Sequence, residues 1–293
     1  MAETWDGKSR GTVLGYKIFV YAIKKLGVSA AYSLLYFVAT YFLFFARKSS
    51  KVIYTYFRER HQYSKIKSYK SLYKSYFKFG QTIIDKIAIS SGLRNQFTYE
   101  FDGIDQLRKL LKEQKGGVLI SAHVGNFEIA EFFLDELDEK AQINLLTTDL
   151  EHRAIKDYLE SIKVKSNIKF IILKEDLSHI FEINAALARN ELVCMTGDRY
   201  VEGTKYLATE LLGKEAKFPA GPFLIASRLR VPVVFVYVMK ETKKHYHLYA
   251  RTVEVKHRDS EGLLHSYVKN LEKMLQKYPT QWFNYFDFWG DYK

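Results

Sequence analysis

The stretch GGVLISAHVGNFEIAEFF, residues 116–133, combines an aliphatic run, a histidine, a Gly-Asn turn and an apolar pattern with helical spacing. The aliphatic run at 118–122 predicts a buried strand. Asn126 is a suitable N-cap for the helix that follows, and that helix carries Glu128. A strand, a tight turn and a helix form the repeating unit of α/β domains. The stretch therefore predicts an α/β fold with His123 at the end of a core strand.

The chain on either side of this stretch keeps the same alternation of strands and helices. The other predicted strands are 143–147, 168–173, 192–196 and 233–239, and the predicted helices are 102–117, 126–137, 150–162, 177–189, 219–229 and 261–277. Residues 245–255 alternate more strictly, which predicts an edge strand with one wet face. The pattern predicts one α/β domain over residues 96–293, with a mixed, largely parallel sheet flanked by helices.

The N-terminal third carries the positive charge of the chain. The net charge is +12, and residues 1–95 hold 17 Lys+Arg and 4 Asp+Glu, which leaves a near balance of 28 and 29 in the rest. A basic region of this kind indicates an anionic partner, which is a phospholipid surface, a nucleic acid or an acidic carrier protein. Residues 1–95 are therefore predicted to form a separate basic, aromatic region.

One apolar run within this region favours a membrane as the partner. Residues 28–46 contain no charge and are bracketed by basic pairs at 24–25 and 47–48. The run is about long enough to cross a bilayer, and its tyrosines suit a membrane interface. We predict a membrane-embedded helix that either spans the bilayer or lies in its interface. A buried core helix of a soluble domain has the same pattern and stays open as an alternative.

Residues 54–80 interleave Tyr and Phe with Lys and Arg. Beside an apolar anchor, this composition describes a helix on anionic headgroups, with Tyr at the interface and Lys reaching the headgroups. Stacking of bases on aromatic rings would give single-stranded nucleic acid the same signature, and a solvated helix is the third alternative. We expect the membrane surface, and no nucleic acid, to be the partner.

The cysteine and histidine content limits the chemistry. One cysteine, Cys194, excludes an internal disulfide framework and indicates a reducing compartment. The spacing of the cysteine and histidines matches no zinc site, so we expect no structural metal.

His123 and Glu128 form an H-x4-E pair, a spacing that proves little alone because His152 and Asp157 repeat it. Context separates the two pairs. His123 follows a buried-type strand, and the active sites of α/β domains gather at the carboxyl ends of strands. We predict that His123 acts as a general base and that Glu128 orients its imidazole, while Gly125 and Asn126 shape the substrate-binding turn. A structural histidine that only satisfies hydrogen bonds is the alternative.

A second candidate site, TGDRYVEGTK at 196–205, also follows a predicted strand. Arg199 is suited to neutralise a phosphate or a developing oxyanion, and Asp198 is suited to orient Arg199 or the acceptor. A surface Asp-Arg turn explains the same residues. No G-x-S-x-G elbow occurs in the sequence, and Cys194 sits inside an apolar strand, so direct transfer to an acceptor fits better than a covalent acyl-enzyme.

Four blocks together resemble a known family. SAHVGNFEIAEF, TGDRY, LLGKEAKFPAGPFLIASRLRVPVV and YPTQWFNYFDFW occur in the order found in bacterial lipid A biosynthesis acyltransferases, within the glycerolipid acyltransferase superfamily. The resemblance covers about residues 116–289. Arg199 stands where the family usually has Gln, and the basic residues usual after the last block are absent.

The resemblance implies an acyltransferase of the inner bacterial membrane with its catalytic domain facing the cytoplasm. It implies an acyl carrier protein or acyl-CoA as donor, a hydroxyl of lipid A or its precursor as acceptor, and no cofactor. His123 matches the catalytic histidine and Glu128 its acidic partner, and Arg153 is a candidate for the substrate-orienting arginine. An acyltransferase for another amphiphile, such as an aminolipid or a polyene pigment, and a non-catalytic membrane-surface or nucleic-acid-binding protein are the alternative functions.

Overall fold

The computed structural model describes residues 13–113, 115–130, 142–147, 168–174, 176 and 178–290, without the side chains of 13–17, 19 and 128. The helices of this part are α1 (Val13–Leu26), α2 (Val28–Phe45), α3 (Arg47–Thr55), α4 (Lys65–Ala88), α5 (Ile104–Lys112), α6 (His179–Ala188), α7 (Ala220–Arg228) and α8 (Ser260–Lys277). The strands are β1 (Thr98–Asp102), β2 (Gly117–Ser121), β3 (Ile143–Thr147), β4 (Ile168–Ile172), β5 (Leu192–Thr196), β6 (Tyr206–Leu211), β7 (Lys214–Pro219), β8 (Val233–Lys240) and β9 (His245–Val253). Short 3₁₀ turns cover Phe127–Ile129 and Pro279–Gln281, and a π-helical turn covers Tyr56–Arg60.

The sheet has seven strands in the order β1-β9-β8-β2-β5-β3-β4. Every neighbouring pair is parallel except β8 with β9, which form an antiparallel hairpin. The predicted α/β class and the mixed, largely parallel sheet are therefore confirmed. The strand β2, which ends two residues before His123, lies in the middle of the sheet between β8 and β5.

Three details of the strand prediction differ from the structure. The strand β9 is internal and not an edge strand, because β1, which the sequence analysis missed, pairs with its outer side. The polar residues that gave β9 its wet face meet acidic partners on β1, including His247 with Glu100 at 2.8 Å. The hairpin β6–β7 was also missed, and it forms a separate two-stranded sheet. Beyond Ala130 the predicted helix 126–137 lies outside the described residues, and so does the whole of the predicted helix 150–162, with His152 and Asp157.

Helices cover both faces of the sheet. On one face, Tyr267 of α8 and Phe223 of α7 pack in a buried cluster with Val118 and Ile120 of β2. On the other face, Leu107 and Leu110 of α5 join Leu119 and Cys194. A strand buried on both faces reads as a continuous apolar run, and this is why 118–122 was recognisable from sequence.

Cys194 lies in the interior of β5 with 6% of its surface exposed, and burial raises the pKa of its thiol to about 12. Because the thiolate is the reactive form, we expect the folded protein to resist alkylation by iodoacetamide at neutral pH. Mass spectrometry of intact protein would measure this, with the denatured chain as the positive control. Rapid modification of the native protein would contradict the placement of Cys194.

The N-terminal helices pack at the carboxyl end of the strands that flank the site. Ile23 of α1, Leu35 of α2 and Ile84 of α4 form one buried cluster with Val238, at the end of β8, and Ile129, in the turn after His123. Among the described helices, α2 is the one long and apolar enough to cross a membrane, and 28% of it is buried. A helix so exposed is not a core helix, and its apolar surface favours membrane association.

A buried polar cluster fastens these helices to the sheet. Asp85 of α4 forms an ion pair with Lys240 of β8, and both side chains are fully buried. The carboxylate of Asp85 also accepts hydrogen bonds from the hydroxyls of Tyr32 in α2 and Tyr246 in β9. Burial raises the pKa of Asp85 and lowers that of Lys240, and their mutual attraction opposes both shifts. The cluster therefore joins α2, α4, β8 and β9 at one point.

Candidate active site

His123 and Asp198 occupy equivalent places on two neighbouring strands. In the parallel pairing of β2 with β5, Ser121 lies opposite Thr196. His123 and Asp198 each follow two residues later, so the sheet brings both to the same edge. The carboxyl edge of a parallel sheet is where ligands bind in such folds.

The two side chains are in direct contact. The Nδ1 atom of His123 lies 2.7 Å from Oδ1 of Asp198. The backbone N–H of His123 also donates to the same carboxylate, at 3.1 Å from each oxygen. Asp198 is completely buried, whereas 24% of the His123 side chain is exposed. A buried carboxylate therefore fixes both the backbone and the ring of a histidine that faces the surface.

Two further donors hold the Asp198 carboxylate in place. The Nε1–H group of Trp282 donates to Oδ2 at 3.2 Å, and the side-chain amide of Asn284 donates to the same oxygen at 3.3 Å. Burial alone would raise the pKa of Asp198, but the charge and hydrogen bond of His123, with Arg199 and Trp282, outweigh it and lower this pKa to about 2. Asp198 is therefore ionised at neutral pH.

The turn after His123 is clamped between β8 and the C-terminal segment. The backbone N–H of Gly125 donates to the carbonyl of Gln281 at 2.8 Å, and that of Asn126 donates to the carbonyl of Val238 at 2.8 Å. The side-chain amide of Asn126, which is buried, donates to the carbonyl of Thr82 in α4 at 3.1 Å. Gly125 and Asn126 therefore hold the turn in place, and the side chain of Asn126 bonds α4 in place of the predicted N-cap. Their part in substrate binding stays a prediction.

Gly125 cannot accept a side chain without a change in the turn. Its φ is +67°, and a Cβ atom would lie 2.1 Å from the carbonyl oxygen of Val238. We expect Gly125→Ala to cost at least about 1–2 kcal/mol from the left-handed backbone alone, and to displace His123 and lower activity. Thermal unfolding and an acyl-transfer assay would measure both effects. Gly221→Ala is the matched control, since a Cβ there meets no atom within 4 Å, and equal behaviour of the two variants would contradict this account.

Arg199 forms hydrogen bonds with the C-terminal segment that contains Trp282 and Asn284. Its Nε–H group donates to the side-chain oxygen of Asn284, and its NH2 group donates to the carbonyl of Phe283, both at 3.1 Å. Burial lowers the pKa of Arg199 to about 10, against the opposing effects of Asp198 and Tyr285. Arg199 is therefore still cationic at neutral pH, and it supports the segment that holds Asp198.

The structure thus brings together His123, Asp198 and Arg199, and it adds residues that sequence reasoning did not select. Trp282 and Asn284 were seen only as part of an aromatic C-terminal block, and no local pattern linked that block to His123. The missing signal was strand order, because the β2–β5 pairing is what places Asp198 on the imidazole. The side chain of Glu128 and all of Arg153 lie outside the described part of the chain.

An apolar cavity of about 40 Å³ lies against the sheet near the site. Its walls include Leu119 of β2, Cys194 of β5 and Val236 of β8, with Phe127 from the turn after His123. A cavity lined in this way favours a hydrocarbon group over a polar one.

A separate group of side chains has metal-ligand chemistry. Glu100, Glu241 and His245 place ligand atoms within 4.8 Å of one another at the β1–β9 side of the sheet. Glu100 and Glu241 are exposed, and His245 contacts the hydroxyl of Thr98 at 2.8 Å. Exposed acidic groups with partners of this kind are common without a metal, and the site at His123 contains none of these residues.

An imidazole held by a buried carboxylate is suited to accept a proton from a hydroxyl or amine. The carboxylate fixes the tautomer with the proton on Nδ1, so Nε2 is the basic atom, and it stabilises the imidazolium that forms.

Comparison with known proteins agrees with this chemistry. No curated protein matches the chain. The family model described as bacterial lipid A biosynthesis acyltransferase matches residues 8–289, which is nearly the whole chain and includes every residue of the site. The chain therefore belongs to the bacterial lipid A biosynthesis acyltransferase family and is an acyltransferase.

Proposed function

We propose that this acyltransferase moves a fatty acyl chain from an acyl thioester to a hydroxyl of a lipid A precursor, with His123 as the general base. The observation that carries the proposal is the 2.7 Å contact between Nδ1 of His123 and the buried carboxylate of Asp198. The donor is an acyl carrier protein or acyl-CoA, which both supply a thioester.

The reaction follows from this geometry. With the Nδ1 proton held by Asp198, Nε2 of His123 takes the proton of the acceptor hydroxyl as its oxygen attacks the thioester carbonyl carbon. The tetrahedral intermediate collapses, the carbon–sulfur bond breaks, and the leaving thiolate takes the proton from the imidazolium. The products are the acyl ester and the free thiol, and His123 returns to its neutral form.

Three more residues have proposed roles. Glu128, five residues after His123, is a second acid for the imidazole, and Arg153 is the candidate that orients the substrate. Backbone amides or Arg199 stabilise the oxyanion of the intermediate. Support for Arg199 comes from its charge and its position next to Asp198.

The surroundings of the site support a lipid reaction. The apolar cavity beside Leu119 and Phe127 is suited to the start of an acyl chain. The exposed apolar helix α2 and the basic N-terminal third support a location on the inner membrane, with the catalytic domain on the cytoplasmic side where acyl thioesters are made.

The test is an acyl-transfer assay with purified protein in detergent, a lipid A precursor, and either an acyl carrier protein thioester or acyl-CoA. We expect thiol release and a lipid product heavier by one acyl group, in equal amounts. A precursor whose accepting hydroxyl is already acylated is the matched control and should give neither. Thiol release without an acylated lipid would contradict the proposed acceptor, and acylation of an aminolipid or another amphiphile in its place would identify the alternative acceptor.

A further inference from the structure

The helix α2 has two different faces. Its inner face is buried and consists of Val28, Ala31, Tyr32, Leu35 and Ala39. Its outer face is apolar and exposed, with Phe37 at 77% and Phe44 at 65%, together with Leu34, Tyr41 and Phe45. An unpartnered aromatic face of this size on a helix indicates contact with a partner that is itself apolar.

The inner face lies antiparallel along α4. Near the start of α2, Tyr32 donates to Asp85. Near the middle, the ring of Tyr36 lies 4.6 Å from that of Phe77, and its carbonyl accepts a hydrogen bond from the hydroxyl of Tyr73 at 3.3 Å. If α2 crossed a bilayer, the middle of α4 would therefore lie level with the middle of α2.

Lysines on α4 exclude a spanning position for this pair. Lys74 and Lys78 follow Tyr73 and Phe77 in the chain and so lie level with the middle of α2. If α2 crossed the bilayer, both lysines would lie near the centre of the hydrocarbon, where charged side chains are costly and rare.

Both ends of α2 are attached to the same catalytic domain. At its start, the hydroxyl oxygen of Tyr32 lies 3.1 Å from the carbonyl oxygen of Lys243, between β8 and β9. Just after its end, Ser50 of α3 hydrogen-bonds Tyr76 of α4 at 3.0 Å, and the ring of Tyr76 lies 5.5 Å from that of Tyr285 in the C-terminal segment. A spanning helix has its ends on opposite sides of the membrane, and one folded domain cannot hold both.

Exposed basic residues flank α2 at both ends. Lys24 and Lys25 precede it, and Arg47, Lys48 and Lys51 follow it, all exposed. Basic residues at both ends fit a helix whose two ends meet the same anionic headgroup layer.

We propose that the protein is monotopic: α2 lies in the plane of one anionic leaflet, with its outer face in the acyl region and its basic ends on the headgroups. This inference rests on the membrane association proposed above. It also places the carboxyl edge of the sheet, with His123, next to the leaflet that holds a lipid acceptor, because Tyr56, which follows α3, packs on Trp282 at 5.2 Å.

Thiol accessibility of single-cysteine variants in bacterial membranes tests the proposal. Lys25→Cys and Lys48→Cys report the two ends of α2, and the exposed Lys205→Cys reports the catalytic domain, each in the full chain with Cys194→Ala. A charged, membrane-impermeant maleimide is applied to right-side-out and to inverted vesicles. We expect all three cysteines to be labelled in inverted vesicles and protected in right-side-out vesicles.

The possible results are distinct. Labelling of the two ends from opposite sides would overturn the in-plane position and leave membrane association intact. Protein that stays in the soluble fraction would overturn membrane association itself. A fourth variant, Phe37→Cys, should be protected in both vesicle types and react only after detergent is added, and free labelling of Phe37→Cys in intact vesicles would overturn the burial of the outer face in lipid.

Discussion

Replacing Asp198 by Asn is expected to lower kcat/KM by about 10²–10⁴-fold, the range typical for loss of an effective general base. The carboxylate accepts the Nδ1 proton of His123 at 2.7 Å. The amide of Asn carries no charge to stabilise the imidazolium, and its NH2 group can donate to Nδ1 and so favour the wrong tautomer. Acyl-transfer rates with the thioester donor would measure the loss.

A control variant and a double variant with His123 distinguish a loss of catalysis from a loss of folding. Glu191→Gln removes a different acid, one bound to Arg189 at 2.7 Å outside the site, and should keep near wild-type rates. His123→Ala should lose as much activity as Asp198→Asn, and the double variant should lose little more, because the two residues act as one unit. Fully additive losses, or a fully active Asp198→Asn protein, would refute the shared role.

The dependence of kcat/KM on pH should shift in a defined direction when Asp198 is replaced by Asn. In the folded protein the pKa of Asp198 is lowered to about 2, so its ionisation stabilises the fold above its ordinary value of about 3.9 and this stability is lost as the pH falls toward 2. Because Asp198 stays ionised down to about pH 2, a loss of kcat/KM as the pH falls through a higher range reports protonation of the His123 imidazole. In Asp198→Asn that acid limb should move to lower pH, because the charge of the carboxylate on Nδ1 no longer stabilises the imidazolium.

The local sequence identified His123 and Asp198 as candidate site residues at the ends of two strands. It did not reveal that their side chains are in contact. The aliphatic run before His123 and the run before Asp198 identified two buried strands, since parallel strands are apolar throughout. Their pairing depends on residues far apart in the chain, and neither periodicity nor spacing encodes it. This is why the sequence assigned the acidic partner to Glu128, the nearest acid on the following helix, while the structure places Asp198 on the ring. The role of Glu128 stays a prediction.

The strands that were missed or misplaced share a physical cause. The strand β1, TYEFD, is only half-buried and alternates with polar residues, and the hairpin β6–β7 mixes exposed, half-buried and buried positions. The strand β9 was recognised but placed at an edge, because the acids on β1 that its polar side chains contact were not known to be neighbours. A strand buried on both faces gives a continuous apolar run that is easily recognised, whereas the short strands β1, β6 and β7 give a weaker pattern.

The buried Asp85–Lys240 pair should control the stability of the joint between the N-terminal helices and the sheet. Neither side chain reaches solvent. Lys240→Met would leave a buried carboxylate without its counterion, and the loss of one partner of a buried pair typically costs about 3–5 kcal/mol. Thermal unfolding in detergent, followed by circular dichroism, would report this as a lower midpoint temperature.

A double variant separates the charge from the packing. In Asp85→Asn with Lys240→Met, neither charge of the pair remains. Tyr32 and Tyr246 bond different carboxylate oxygens in the native protein, so the oxygen of Asn can accept from one hydroxyl and its NH2 group can donate to the other. We therefore expect the double variant to recover most of the stability that Lys240→Met loses, since replacing both charges of a buried pair is often neutral. Lys205→Met removes an exposed lysine and should change little. A double variant no more stable than Lys240→Met alone would mean that the ammonium group contributes through packing, and not by neutralising Asp85.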